Sequence, residues 1–205
     1  MKLAVFGATG GVGRQIVEQA LAAGHSVAAL ARDAGKLPIQ HDRLAVVAGN
    51  VLDRGAVERT LAGADAVFVS LGNTPDNPEM IVSQGTAVII AAMQAGGVPR
   101  LIVISSLGVG DSKDQVPFFF KALIATALRH AFQDKEAQEK LVRASSLDWT
   151  IIRPGGLTDG PATGSYRAGL ERSIGGQVAR ADVAAFALSQ LASDEYIGKT
   201  PAIAQ

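Results

Sequence analysis

Three glycines at a spacing of three residues, Gly7, Gly10 and Gly13, directly follow the first apolar run of the chain. After a strand and before a helix, such glycines allow a tight turn, a close backbone approach to a pyrophosphate, and close helix–strand packing. The helix behind the loop presents free N–H groups to phosphates. The spacing therefore predicts a dinucleotide site. The contacts expected from this loop are Gly7, Thr9, Gly10, Gly11, Val12 and Gly13.

Two other interpretations of this loop are disfavoured. Glycines also mark ordinary turns, but here strand, loop, helix and second strand follow in the order that a dinucleotide fold requires. A nucleoside-triphosphate loop needs Lys-Ser or Lys-Thr after its last glycine, whereas this chain has Arg14 and Gln15. Triphosphate hydrolysis is therefore not expected.

The end of the second predicted strand bears on which nicotinamide dinucleotide is bound. NAD enzymes carry an acidic residue there for the ribose hydroxyls, whereas an arginine accommodates the 2′-phosphate of NADP. Here Ala31 occupies the acidic position and Arg32 follows it. The sequence therefore favours NADP(H), with Arg32 on the phosphate. A solvated role for Arg32 and an inward-pointing Asp33 stay open as alternatives.

Further cofactor contacts are expected where the next two strands end. Asn50 and Val51 follow the third strand, where an adenine would lie, and Asp53 is suited to cap the next helix. The turn of Leu71, Gly72, Asn73 and Thr74 follows the fourth strand and is expected beside the ribose and pyrophosphate, although Gly72 serves equally well as a turn residue.

A parallel sheet is needed to bring these residues to one edge. Short apolar runs alternate with helical patterns, which is typical of strands covered on both faces. The predicted strands are Lys2–Phe6, Ser26–Ala31, Leu44–Ala48, Ala66–Ser70, Arg100–Ser105 and Asp148–Arg153. The predicted helices are Gly11–Ala23, Arg54–Leu61, Pro78–Gly96, Asp134–Ala144 and Ala181–Ala192. The fold class is thus α/β: one NAD(P)-binding Rossmann domain over residues 1–205, with a single doubly wound parallel sheet and a long functional loop at Gly155–Gly176.

Composition excludes several other classes of protein. The chain is 48% hydrophobic, carries 19 basic and 19 acidic residues, and contains no cysteine. Balanced charge without a basic run disfavours nucleic-acid and membrane partners, and the lack of cysteine excludes thiolate metal sites. The three histidines are scattered, so no metal site is expected. We expect a cytoplasmic protein without a signal peptide or membrane span. The oligomeric state stays open, with a monomer favoured.

The chain resembles atypical short-chain dehydrogenases/reductases, and within them the flavin reductase and biliverdin-IXβ reductase branch. NmrA-like and epimerase-like members share the N-terminal half. The matching stretches span nearly the whole chain and are Phe6–Gly10, Arg32–Asp33, Lys36–Pro38, Asp65–Val67, Leu71–Gly72, Ala91–Met93, Ala162–Tyr166 and Asp194–Tyr196.

This resemblance implies hydride transfer from NADPH to a planar conjugated small molecule, a flavin or a bilin. It implies that Ser106, at the carboxyl end of the fifth strand, is the active-site serine, with Ser105 beside the cofactor. The alternative is that both serines only satisfy backbone groups at a strand end. The segment Arg153, Pro154, Gly155 and Gly156, at the end of the sixth strand, is expected to border the nicotinamide or to serve a structural role.

Two departures from the family pattern narrow the chemistry. The Tyr-x-x-x-Lys acid–base pair is absent, because the only tyrosines are Tyr166 and Tyr196 and Lys135 lies four residues after Ala131. Gly155 stands where the biliverdin branch has a histidine. A flavin accepts a hydride directly and can take its proton from water, so it is favoured. A non-catalytic NADP(H)-binding redox sensor of the NmrA type and an epimerase- or dehydratase-like enzyme stay open.

Three consecutive aromatic residues, Phe118, Phe119 and Phe120, follow Pro117 after the fifth strand. They are candidates for a hydrophobic wall over an aromatic acceptor. Packing in the core and a partner interface are the alternatives.

Overall fold

The computed structural model describes residues 1–74 and 80–205. The strands are β1 (Lys2–Phe6), β2 (Ser26–Ala31), β3 (Leu44–Ala48), β4 (Ala66–Val69), β5 (Arg100–Ile104), β6 (Asp148–Pro154), β7 (Gly156–Thr158), β8 (Arg167–Gly169), β9 (Gln177–Ala179) and β10 (Ala202–Ala204). The helices are α1 (Gly11–Ala22), α2 (Arg54–Leu61), α3 (Ile81–Gly96), α4 (Phe118–Ala125), α5 (Arg129–Ala144) and α6 (Arg180–Ser189). Further 3₁₀ turns span Ala34–Lys36 and Gly110–Gln115.

Most of the described strands form one sheet in the order β3-β2-β1-β4-β5-β6-β10-β8. Neighbours from β3 to β10 run parallel, and β8 pairs antiparallel with β10. The strand order reverses between β1 and β4, the place where open α/β sheets bind ligands. The predicted doubly wound Rossmann fold is confirmed.

Alternate residues of the central strand β1 pack against opposite helical layers. Leu3 and Val5 join the core that contains Ile16 of α1, whereas Ala4 and Phe6 join the core on the α2 and α3 side. Since both faces of the strand are covered, every one of these positions can be apolar. This explains why the strands appear in the sequence as nearly continuous apolar runs.

Each predicted strand and helix is present, and the ends of the predicted strands agree to within one residue. The predicted start of α3 at Pro78 lies outside the described residues. Helix α5 begins at Arg129 rather than at Asp134, and α6 ends three residues before the predicted Ala192. The early start of α5 has a packing partner, because Phe132 meets Phe120 of α4 edge to face at 6.2 Å between ring centroids.

The sequence did not predict α4 or the short strands β7 to β10, and β7 and β8 lie inside the segment predicted as one long loop. These strands have three residues each, too few for a periodic pattern. Their existence depends on distant partners: β7 pairs with β9, and β10 lies between β6 and β8. At Gly155 a side chain would overlap the Gly176 carbonyl group, so the fold requires a glycine at position 155.

Candidate functional site

A cavity of about 600 Å³ lies along the carboxyl ends of the parallel strands. This volume is ordinary for a small-molecule site. Most of the residues predicted to contact cofactor or substrate line it: Gly7, Thr9, Gly10, Gly11, Val12, Arg32, Asn50, Val51, Leu71, Gly72, Ser105 and Ser106. One cavity thus connects the glycine loop with the end of β5.

Backbone contacts shape the glycine loop between β1 and α1. Gly7 has a φ of +85°, and a side chain there would overlap the Ser70 carbonyl group. A side chain on Gly13 would overlap the Gly7 carbonyl group. Gly10 is the N-cap of α1, and no side chain caps that helix. A pyrophosphate is the kind of group that a glycine cradle with uncapped N–H groups accepts, so these residues fit a dinucleotide.

The end of β2 carries the residues that bear on the 2′-phosphate. Ala31 and Arg32 both line the cavity. Asp33 does not, because its Oδ1 accepts a hydrogen bond from Gly35 N at 2.9 Å and caps the following 3₁₀ turn. The carboxylate closest in sequence is therefore committed to the backbone.

The loops after β3 and β4 form the next part of the wall. Asn50 and Val51 line the cavity, and Asn50 Oδ1 accepts a hydrogen bond from Leu52 N at 3.0 Å. Only the amide NH₂ of Asn50 keeps its full capacity for a ligand. Asp53 caps α2 through a bond from Gly55 N at 2.9 Å, as expected.

The two serines after β5 have different surroundings. Ser105 is buried, and its Oγ donates to Glu139 Oε1 at 2.6 Å. Ser106 is half-buried and donates to the Leu107 carbonyl oxygen at 3.1 Å. Its hydroxyl oxygen can still accept a hydrogen bond. Ser106 is thus better placed to meet a ligand, and Ser105 positions the strand end.

Behind Ser105 lies a buried ion pair between α5 and β6. Arg153 donates to Glu139 through Nε at 3.0 Å and Nη2 at 2.6 Å, and Nη2 also reaches Asp111 Oδ1 at 2.6 Å. The Glu139 and Arg153 side chains are only 3% and 4% exposed. Burial alone would lower the pKa of Arg153, but Glu139 and Asp111 outweigh it and raise that pKa. This network fixes the floor of the β5 end.

Lys135 of α5 also lines the cavity, although Ala131 rather than a tyrosine lies four residues before it. Its Nζ donates to the Ile104 carbonyl oxygen at 3.1 Å. Loss of solvation lowers the pKa of Lys135 to about 8, even though Glu139 and Asp134 favour the charged form. The cavity therefore contains a cation that can lose its proton just above neutral pH.

Asp134 ties the loop after β4 to α3. It accepts hydrogen bonds from Asn73 Nδ2 at 3.0 Å, Val82 N at 2.9 Å and Ser83 N at 2.8 Å. Burial opposes ionisation, but the bonds from Ser83 and Asn73 hold the pKa of Asp134 below its usual range. Asn73 itself lines the cavity.

Several predicted residues lie elsewhere. The described lining of the cavity includes neither Gly13, nor the segment from Arg153 to Gly156 with Pro154 and Gly155, nor the three phenylalanines. Gly13 packs under the loop, Arg153 is buried against Glu139, and Pro154 is buried at the end of β6. Phe118 and Phe119 are 86% and 74% exposed. The three phenylalanines therefore form no wall of this cavity, because α4 turns only Phe120 inward.

Asn73 and Thr74, in the turn expected beside the cofactor, also line the cavity. Sequence reasoning missed other residues of the lining, among them Leu157 and Arg180. Arg180 begins α6 and donates from Nη1 to Asp159 Oδ1 at 2.6 Å. No local motif marks these positions. Only the tertiary fold brings them to the glycine loop and the β5 end.

The described residues contain no group of three or more His, Cys, Asp or Glu side chains that could hold a metal ion. In the same residues, none of the helices has the length and apolar character to cross a membrane. The tyrosines Tyr166 and Tyr196 both pack edge to face against Phe186, with ring centroids 6.0 and 5.9 Å away, and neither lines the cavity.

The fold and the glycine cradle define a Rossmann-type dinucleotide-binding protein. Residues 7–194 match the family model described as NAD(P)H-binding. The chain belongs to this NAD(P)H-binding family of atypical short-chain dehydrogenase/reductase type, whose members include oxidoreductases.

Similar proteins include named reductases. A (4-alkanoyl-5-oxo-2,5-dihydrofuran-3-yl)methyl phosphate reductase of Streptomyces griseus is 31% identical over 97% of this chain and 66% of that protein. The oxidoreductase stcQ of Emericella nidulans is 31% identical over 83% of this chain and 70% of its own length. The solved structure of ChuY, an anaerobillin reductase from Escherichia coli O157:H7, has a TM-score of 0.83 at 29% identity, covering 99% of this chain and 96% of its own.

Proposed function

We propose that the protein is an NADPH-dependent reductase that transfers a hydride to a planar conjugated acceptor, a flavin in the first instance. The observation that carries this proposal is the single cavity that runs from the glycine loop and Arg32 to Ser106 at the end of β5. A dinucleotide held by the loop can extend along this cavity so that its reactive end reaches the carboxyl end of β5, where open α/β sheets bind ligands.

The preference for NADPH rests on three neighbouring residues. Ala31 offers no carboxylate to ribose hydroxyls, Asp33 lies outside the cavity lining with its Oδ1 on the Gly35 N–H, and Arg32 lines the cavity. A guanidinium forms charge-assisted hydrogen bonds with a phosphate. We assign the 2′-phosphate to Arg32.

Other residues are assigned to the cofactor by their place along the cavity. In this proposal the loop Gly7–Gly13 holds the pyrophosphate, Asn50 and Val51 border the adenine, and Leu71 and Gly72 border the ribose and pyrophosphate. Pro154 and Gly155 receive no cofactor contact, since they lie outside the cavity lining.

NADPH, when bound, supplies the hydride. The chain's contribution is to orient the reactants and to keep the reacting atoms away from water. Ser106 accepts or donates a hydrogen bond at the nicotinamide or acceptor, and Ser105 with Glu139 holds the strand end in place. Because both tyrosines pack on Phe186, the chain offers no tyrosine acid. This favours acceptors that take their proton from water.

A bilin is the second candidate acceptor. The 29% identity and full-length structural match to ChuY, an anaerobillin reductase, favour it. The absence of a histidine at Gly155 weighs against it, so the flavin stays first.

Measuring NADPH oxidation with FMN, FAD, biliverdin and a quinone tests the proposal, with NADPH binding measured separately by fluorescence. We expect turnover with at least one planar acceptor, and a decrease of about 10-fold or more in Ser106→Ala. Ser146→Ala serves as a control, because Ser146 is exposed and lies outside the cavity lining. Tight NADPH binding without turnover on any acceptor would refute the reductase activity and favour a non-catalytic redox sensor. Failure of the wild type to bind either nicotinamide cofactor would refute the site itself.

A further inference from the structure

Arg180 lies directly over the first turn of α1. A Cβ placed on Gly11 would lie 2.5 Å from Arg180 Cδ and 2.7 Å from Nε. The missing side chain at Gly11 therefore makes the space that the arginine occupies. The neighbouring helices α1 and α6 hold this arrangement, since Gln19 Nε2 donates to the Ala181 carbonyl oxygen at 2.9 Å.

This arginine has a carboxylate partner that is mostly in water. Its Nη1 donates to Asp159 Oδ1 at 2.6 Å, and the two side chains are 29% and 90% exposed, respectively. Ion pairs of such exposure contribute little to stability, because water solvates the carboxylate almost as well. A guanidinium has five N–H donors, and the bond to Asp159 engages one of them.

Arg180 lies at the N-terminus of α1, a position that favours an anion. No side chain caps α1 and no acidic residue occupies its first turn, so the positive end of that helix points to the same region. Arg180 lines the cavity beside Gly10 and Gly11. A guanidinium binds a phosphate through two parallel hydrogen bonds, which are stronger than one bond to an exposed carboxylate.

We propose that Arg180 binds the cofactor pyrophosphate at the glycine loop, and that Asp159 competes with the pyrophosphate for this guanidinium. In the free protein Asp159 neutralises Arg180, and cofactor binding exchanges the carboxylate for phosphate oxygens. This inference rests on the dinucleotide site proposed above, but not on any acceptor. It assigns Arg180 to the phosphates shared by NADPH and NADH, whereas Arg32 serves the 2′-phosphate alone.

The two variants Arg180→Gln and Asp159→Asn test the competition because it predicts opposite signs. Dissociation constants for NADPH and NADH are measured by fluorescence titration of the full chain, without an acceptor. We expect Arg180→Gln to weaken both cofactors by about 10- to 100-fold. We expect Asp159→Asn to tighten both by about 2- to 5-fold, and this gain to vanish in the double variant. Adenosine 2′-monophosphate, which lacks a pyrophosphate, should bind all variants alike.

Two control variants remove the same charges from surface ion pairs outside the cavity: Arg54→Gln from the pair with Glu58, and Asp114→Asn from the pair with Lys121. Both should bind NADPH like the wild type. A structural role for the pair would make Asp159→Asn weaken binding in the same direction as Arg180→Gln, and that result would overturn the proposal. Wild-type affinity in Arg180→Gln would overturn it too.

These outcomes are separate from the fate of the proposed reductase activity. If the wild type bound NADPH but reduced no acceptor, the proposed reductase activity would be refuted. The cofactor affinities of the variants would still decide whether Arg180 binds the pyrophosphate. If the wild type bound neither NADPH nor NADH, both proposals would be wrong. Since Asp159 is 90% exposed, its variant should fold normally, and a thermal unfolding curve checks this for Arg180→Gln.

Discussion

The two ends of the cavity are built in different ways. The phosphate end, from Gly7 to Gly13, is shaped by close backbone contacts, one inside the loop between Gly13 and Gly7 and one between Gly7 and Ser70. The reaction end, at Ser105, Ser106 and Lys135, is held by side chains from separate elements. The glycine pattern of the phosphate end is therefore visible in one short segment of the sequence, whereas the residues of the reaction end come together only when the whole fold has formed.

The two ends should also respond differently to mutation. At the phosphate end an added methyl group meets a carbonyl group of the backbone, which has no rotamer to change. At the reaction end a removed side chain leaves its ionic partner buried. The comparison predicts steric damage at one end and electrostatic damage at the other.

The largest effect is expected at the reaction end, from Glu139→Ala. It leaves Arg153 buried with only the exposed Asp111 as partner, and breaking such a buried pair costs about 3–5 kcal/mol of unfolding free energy. Urea denaturation measures it. The control is Glu136→Ala on the same helix, whose pairs with Lys113 and Lys140 are exposed and should cost about 1 kcal/mol or less. Equal losses in the two variants would contradict the view that this end depends on its buried pair.

At the phosphate end, Gly13→Ala is expected to cost about 1–3 kcal/mol, because its methyl group overlaps the Gly7 carbonyl group. NADPH binding should weaken with it, since the loop must shift. Gly96→Ala provides the contrast: it is the last residue of α3 and has open space around it, so alanine there should not destabilise the protein and should gain less than about 1 kcal/mol, the value for a helix-interior position. Urea denaturation of both variants measures the two changes in unfolding free energy. An unchanged stability of Gly13→Ala would show that the conformation of the loop does not depend on this close contact.

Arg32→Ala tests whether the phosphate end distinguishes the two cofactors. Loss of hydrogen bonds to a charged phosphate amounts to about 1.5–3 kcal/mol, so the NADPH dissociation constant should rise about 10- to 100-fold while that of NADH stays nearly constant. Arg14→Ala removes the same charge from the exposed pair with Glu18 and should affect neither. Parallel losses for NADPH and NADH would disconnect Arg32 from the 2′-phosphate.

The same division explains what the sequence could predict. Strands and the glycine loop are recognisable because their signals are local: apolar runs, and glycines within seven residues of each other. The network at the reaction end joins Ser105 to Glu139, 34 residues away, and Asp111 to Arg153, 42 residues away. No pattern in a single chain reports such pairs.

The phenylalanines show what a local pattern leaves open. A run of three aromatic residues near a predicted site is compatible with substrate contact, core packing or an interface, and a helix can turn only part of such a run inward. In α4 Phe120 packs against Phe132, while Phe118 and Phe119 stay exposed. The orientation of α4 follows from its packing on α5. The sequence predicted neither α4 nor this packing.

The smallest expected effect is a pH dependence that comes from the reaction end. The pKa of Lys135 is lowered by burial from 10.5 to about 8, so the lysine loses its positive charge between pH 7 and 9. An anionic cofactor should bind the protonated form better. The NADPH dissociation constant of the wild type should therefore rise with pH in this interval, by about 2- to 5-fold.

Two substitutions separate Lys135 from other titrating groups. Lys135→Met has no charge to lose, so its affinity should be lower at pH 7 and change little by pH 9. Lys135→Arg keeps its charge throughout, because a guanidinium stays protonated in proteins, and should remove the pH dependence without the loss at pH 7. Fluorescence titrations at both pH values measure this. If all three proteins showed the same rise, another group would be responsible, and the reaction end would contribute no charge to cofactor binding. A rise of the NADPH dissociation constant in the wild type alone would show that Lys135 contributes to cofactor binding. Side chains from the phosphate end and from the reaction end of the cavity would then act on the same ligand.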